Sequence, residues 1–139
     1  MPLDACRWIP EEDAVGAWPV RWAGAATAAY GVGILVRPEL MARPCGLDDE
    51  DGSVPAATAL LIRAVGARDL ASGLAMLAAK EGSALRAATV CRVVSDLGDA
   101  VLFGTQLPDP AARRKAAAVA GGWGALCAVA GLASRSVRK

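Results

Sequence analysis

Four long apolar stretches constrain this chain more than any other feature. They run roughly over residues 18–36, 55–79, 84–107 and 116–133. Each approaches or exceeds the ~20 residues an α-helix needs to cross a hydrocarbon core. Pro19 can sit in the first turn of the first stretch, and Arg37-Pro38 ends it. Lys80-Glu81-Gly82 closes the second stretch and Pro108 the third, while the fourth runs without a charge between Arg113-Arg114-Lys115 and Arg135. The connections are short except for residues 37–54, whose Asp48-Asp49-Glu50-Asp51 run is solvated. Short links make neighbouring helices antiparallel, so the expected fold is all-α: one domain forming a four-helix transmembrane up-down bundle.

Composition supports helices that pack closely. Aromatic residues make up 4% of the chain, and Ala and Gly are abundant, which favours backbone-to-backbone helix contacts. Gly24, Ala28 and Gly31 form a small-residue stripe on the first helix; Ala117, Gly121, Gly124, Ala128 and Gly131 form another on the fourth. The mean hydropathy is only +0.37, so a soluble Ala-rich bundle is the competing arrangement. A soluble surface helix carries a polar stripe, and the fourth stretch has none.

Several function classes drop out. A net charge of +1 with no basic patch argues against nucleic acid as a partner. The chain has no His, which removes the commonest metal ligand and the usual neutral-pH proton carrier, so neither a metal nor a cofactor is expected. Cys6, Cys45, Cys91 and Cys127 lie far apart without a C-x-x-C pair, which fits neither a zinc site nor a redox dithiol, and Cys91 and Cys127 fall in apolar stretches, where Cys serves as a small core residue. No apolar signal-peptide core follows Met1. Trp8, Trp18 and Trp22 sit where the first helix would meet a membrane interface. Placing both termini in the cytoplasm puts Arg7, Arg21, Lys80, Arg86, Arg135, Arg138 and Lys139 inside. Arg37, Arg43, Arg113, Arg114 and Lys115 fall on the other side, a smaller set, so the expected location is the cell membrane, multi-pass, with both termini cytoplasmic.

The informative residues are the charges in the middle of the second and third stretches: Arg63, Arg68, Asp69, Arg92, Asp96 and Asp99. One charge at the bilayer centre costs ~2.5–3.5 kcal/mol, so this group must face inward. At about 100° per residue, Arg92, Asp96 and Asp99 fall within about 60° of one another, and Thr89, Phe103 and Gln106 continue the same face. Antiparallel packing of the second and third helices then predicts the pairs Arg63–Asp99, Arg68–Asp96 and Asp69–Arg92. Gly66 and Gly73 flank Asp69 and permit close approach of another helix. Tyr30 and Thr27 can reach a pocket from the first helix.

The chain resembles the small four-helix membrane proteins of domain-of-unknown-function family 4267. The carrying residues are Gly31-x-Gly33 leading to Pro38, then Arg63-x-x-Gly66-Ala67-Arg68-Asp69-x-x-x-Gly73, then Gly98-Asp99-Ala100. The resemblance implies a four-helix transmembrane fold with Arg68, Asp69 and Asp99 as its signature polar residues, and it implies no activity. Arg92 and Asp96 lie outside that pattern.

The charged centre leads to three expectations. The first is a membrane enzyme that performs acid–base chemistry on a lipophilic small molecule, such as an isomerisation, cyclisation or epoxide opening. Its catalytic candidates are Asp96 and Asp99 as acid and base with Arg92 and Arg68 as orienting groups. Arg63 and Asp69 would support the network, and Thr89, Phe103, Gln106 and Tyr30 would line the substrate. The second is a structural or partner-docking subunit whose charges set helix register. The third is a small proton-coupled carrier acting as a homodimer. A cavity beside Asp96 and Asp99 favours the enzyme; full mutual saturation of the charges without a cavity favours the scaffold.

Overall fold

The computed structural model describes residues 16–134. Five helices and no strands occur among them: α1 Trp18–Val36, α2 Glu39–Cys45, α3 Ala56–Ala78, α4 Ser83–Gln106 and α5 Pro110–Ala133. Trp8, Cys6, Met1 and the terminal Arg7, Arg135, Arg138 and Lys139 used for orientation lie outside the described residues.

The fold is all-α, with two departures from expectation. A short helix, α2, occupies part of the segment 37–54 that was expected as a loop. Pro38 starts it, and Gly46 ends it in the left-handed conformation at φ 63°. The last helix begins at Pro110 rather than near residue 116, so Arg113, Arg114 and Lys115 are helical. Asp109 explains this early start: its side chain accepts from the backbone N–H groups of Ala111 (3.2 Å) and Ala112 (2.8 Å), and Pro110 fits the first turn.

The helices form two tight antiparallel pairs. In the first, α1 packs against α3 through the glycines of both. A Cβ added to Gly31 would lie 2.6 Å from Leu70 N, and one added to Gly73 would lie 2.5 Å from Ala28 N. Gly24 meets Met76 and the Gly73 carbonyl, so close contact extends along the pair. In the second pair, the small stripe of α5 packs on α4, with Gly124 against Asp96 and Gly131 against Thr89. The glycines of α3 were expected to admit a neighbour at the charged centre; the neighbour they admit is α1, not α4. Contact between the two pairs is sparser.

Arginines outside the charged centre cap helix ends. Arg21 of α1 donates to the carbonyls of Leu77 and Ala79 at the C-terminus of α3. Arg63 of α3 donates to Leu35 O at the end of α1 (3.2 Å), and Arg113 of α5 donates to Leu107 O at the end of α4 (2.5 Å). Each places a cation where unpaired carbonyls leave negative charge.

Two apolar clusters fill the ends of the bundle, one around Val20, Met76, Leu85 and Cys127 and the other around Ile34, Ile62, Met41 and Leu107. The outer surface is also apolar: Trp22, Leu60, Leu61, Val101, Val119 and Val129 are each at least 65% exposed. Among the described helices, α5 alone is long and apolar enough to cross a membrane by length and composition. Of the four long stretches expected to qualify, only α5 does on this measure: charges lower the hydropathy of α3 and α4, and in α1, where Arg21 is the one charge, Pro, Gly, Thr, Trp and Tyr dilute the apolar residues.

Candidate functional site

The charged centre is an alternating chain of five residues from α3 and α4. Arg92 and Asp96 stand one turn apart on α4, so Arg92 Nε reaches Asp96 Oδ2 (2.9 Å) and Nη2 pairs with Oδ1. The Arg92 Nη1 donates across to Asp69 Oδ1 (2.7 Å) and to the Ser72 hydroxyl (3.3 Å). Arg68 donates from Nε and Nη2 to the same Asp69 oxygen (3.2 and 3.0 Å). Its Nη1 and Nη2 then hold Asp99 Oδ1 and Oδ2 at 2.9 and 2.5 Å. The order is therefore Asp99–Arg68–Asp69–Arg92–Asp96, with a carboxylate at each end.

Burial is graded along this chain. Arg92, Asp96 and Asp69 are 3%, 2% and 5% exposed. The Asp99 side chain is 13% exposed and that of Arg68 37%. Desolvating an ion costs several kcal/mol, which is tolerable only with good pairing geometry. The pairing is nearly complete: among the described residues, no buried side-chain nitrogen or oxygen lacks a partner. Gly124 makes room for the deepest carboxylate, since a Cβ there would meet Asp96 Cβ at 3.0 Å.

One carboxylate oxygen remains uncommitted. Asp69 Oδ1 receives all three guanidinium contacts to that residue, and no described residue donates to Oδ2. Asp69 lines a cavity of about 330 Å³. Arg92, Asp96 and Asp99 form its charged side, Tyr30, Phe103 and Trp123 supply rings, and Lys115 and Pro44 lie toward the α2 end. Trp123 is fixed by its indole N–H, which donates to Thr27 Oγ1 (3.0 Å) across the two helix pairs.

Most of the residues singled out from the sequence meet here, but not all. Arg68, Asp69, Arg92, Asp96 and Asp99 converge, and Tyr30 and Phe103 line the adjoining cavity. Arg63 stands apart: it is exposed and bound to the Leu35 carbonyl. Gln106 is exposed at the end of α4, and Thr89 donates to Leu85 O (2.8 Å) beside a second cavity of about 480 Å³ at the opposite end of the bundle. Of the three expected pairs, only Asp69–Arg92 forms. Arg68 does not reach Asp96, whose two oxygens are already held by Arg92, and turns to Asp99 instead. Asp99 is therefore not the partner of Arg63. Trp123 and Lys115 were missed; the one available signal was a Trp set among glycines well away from the other three.

The family model of a domain of unknown function, DUF4267, matches residues 24–134. No curated protein and no solved structure matches the chain.

Proposed function

We propose that this chain, which belongs to the DUF4267 family, is a multi-pass membrane protein that binds a lipophilic small molecule against its Asp/Arg chain and exchanges protons with it. The observation that carries this reading is the cavity of about 330 Å³ bounded by Asp69, Arg92, Asp96 and Asp99. Around it, the bundle turns aliphatic side chains outward and buries the charges of Asp69, Arg92 and Asp96, the arrangement a bilayer favours. The most apolar stretch of α5 is only 17% buried, whereas an equally apolar helix in a soluble core would be mostly covered.

Within the site the roles differ by access. Asp96 is the least available carboxylate, held at both oxygens by a buried guanidinium. Asp99 is the proton-exchanging group: it borders the cavity, and its partner Arg68 is exposed enough to swing away. When Arg68 leaves, both Asp99 oxygens are freed to take a proton from the ligand. Arg92 holds Asp69 and Asp96 in place. Isomerisation and cyclisation fit this arrangement because a proton removed at one carbon can be returned at another with no other reactant.

The test begins with the full chain purified in lipid nanodiscs. Solvent extraction is expected to release a lipophilic compound from it. Incubation of the complex in deuterated water is expected to label that compound, and Asp99→Asn to abolish the labelling while the compound still binds. An empty wild-type protein, or unchanged labelling with Asp99→Asn, sinks the proposal.

One observation favours a second reading. The alternating chain is nearly saturated and links two helix pairs that otherwise touch little, as a purely structural clamp would. On that reading, Arg92→Met costs ~3–5 kcal/mol by leaving buried carboxylates unpaired, and no variant has any effect on a bound compound.

A further inference from the structure

The chemistry of the ligand can be narrowed further, on the footing that the cavity beside the Asp/Arg chain binds a small molecule. Three carboxylates and two guanidinium groups meet at this site, leaving one negative charge in excess. Arg63, which would have balanced it, is bound to a carbonyl at the end of α1. Lys115 lines the far end of the same cavity but makes no ion pair among the described residues. It lies six residues before Gly121, which packs beside Ala100 next to Asp99, so it stands roughly 9 Å along the helix from that level.

The excess charge has an outlet in Asp69 Oδ2. The Asp69 side chain is 6% exposed, and this oxygen accepts nothing from the described residues. Aromatic residues are scarce in the chain, yet its single Tyr, its single Phe and one of its Trp residues line this cavity. The faces of aromatic rings attract cations, most strongly where water is excluded.

We propose that the cavity takes a lipophilic amine in its ammonium form, which donates to Asp69 Oδ2 while its hydrocarbon body lies among Tyr30, Phe103 and Trp123. Arg68 and Arg92 keep Oδ1 and hold the carboxylate oriented. Asp99 and Asp96 remain on their own guanidinium partners, and binding brings the formal charge of the site to zero. A carboxylate ligand would add to the existing excess. An alcohol would satisfy Oδ2 by a hydrogen bond but leave the charge uncompensated.

Three probes of one shape separate these cases: cyclohexylmethylamine, cyclohexylmethanol and cyclohexanecarboxylate. Each is titrated at pH 7 against the full chain in phosphatidylcholine nanodiscs by ligand-observed NMR, with empty discs subtracted. The amine is expected to bind at least about tenfold more tightly than the alcohol, as a charge-assisted hydrogen bond to a nearly buried carboxylate requires. The carboxylate is expected to bind most weakly. Asp69→Asn should bring the amine level with the alcohol. Phe103→Leu keeps an apolar side chain but removes a ring, and should weaken the amine more than the alcohol, which tests the idea even where Asp69→Asn does not fold. Equal binding of amine and alcohol overturns the cation proposal and leaves the small-molecule cavity standing. Binding of none of the three overturns the proposal and removes the footing it stands on.

Discussion

At Gly31 the lack of a side chain sets how closely α1 approaches α3. An added Cβ would lie 2.6 Å from Leu70 N and 2.7 Å from Gly66 O, both backbone atoms that cannot rotate away. Gly31→Ala is therefore expected to destabilise the protein by about 1–3 kcal/mol, the usual range for overpacking. Gly98 is the contrasting case: it is helical, and an added Cβ meets nothing within 4 Å. Gly98→Ala is expected to stabilise by roughly 0.5–1 kcal/mol, because Gly loses more conformational freedom on folding than Ala does. Denaturant unfolding in detergent distinguishes the two, and a harmless Gly31→Ala would mean that α1 and α3 are not in backbone contact. The sequence marks both glycines, and Gly98 even belongs to the family-like Gly-Asp-Ala stretch, but spacing does not reveal which of them faces a neighbour.

The helix ends show how polar residues are used away from the charged centre. Asp109 caps α5, and its hydrogen bonds from the Ala112 and Ala111 backbones hold its carboxyl below the usual aspartate range. A lowered folded value favours the folded protein above the unfolded aspartate value, and this contribution disappears as pH falls through the lowered value. Asp109→Ala is expected to lower the thermal midpoint at pH 7, and the difference from wild type should close in acid below the folded value. Asp109→Ser, which can still cap, should retain most of the midpoint. A midpoint difference that stays constant with pH would show that the carboxylate is not the cap. The helices themselves were readable from apolar runs bounded by Pro and charged residues. The start of α5 was not, because Arg113-Arg114-Lys115 resembles a loop unless Asp109 and Pro110 are weighed as a cap and a first turn. The brief α2 was missed because it has too few residues to show a periodicity.

Over the whole molecule, two glycine-packed pairs are joined by an ionic chain, a Trp123–Thr27 hydrogen bond and a cavity. Ser134 Oγ lies 3.5 Å from the Gly16 carbonyl, so the two ends of the described chain meet at one end of the bundle. If the long helices cross a bilayer, Glu50 and Glu81 lie on opposite sides of it. Single cysteines introduced at these two positions, in a protein whose own cysteines are replaced, should react with an impermeant maleimide from opposite faces of a sealed vesicle. Labelling of both from one face would refute the four-crossing arrangement and return α3 and α4 to a soluble or surface-bound role.

The sequence by itself determined the four long helices and five of the residues that meet at the charged centre, Arg68, Asp69, Arg92, Asp96 and Asp99, but not that Arg63 stands outside it. These follow from apolar length, from the cost of burying a charge without a partner, and from helical periodicity, all of which are local. Only the tertiary structure decided the partners. Gly66 and Gly73 share a face with Asp69, and nothing in one helix states whether α1 or α4 comes to lie there. Arg63 and Arg68 have equally long arms, but Arg63 ends on a carbonyl and Arg68 on two carboxylates. That choice leaves the centre one positive charge short and one oxygen of Asp69, a residue that lines the cavity, without a donor among the described residues. It depends on the distance and rotation between two helix pairs, which are set by packing and which no single segment of the chain carries.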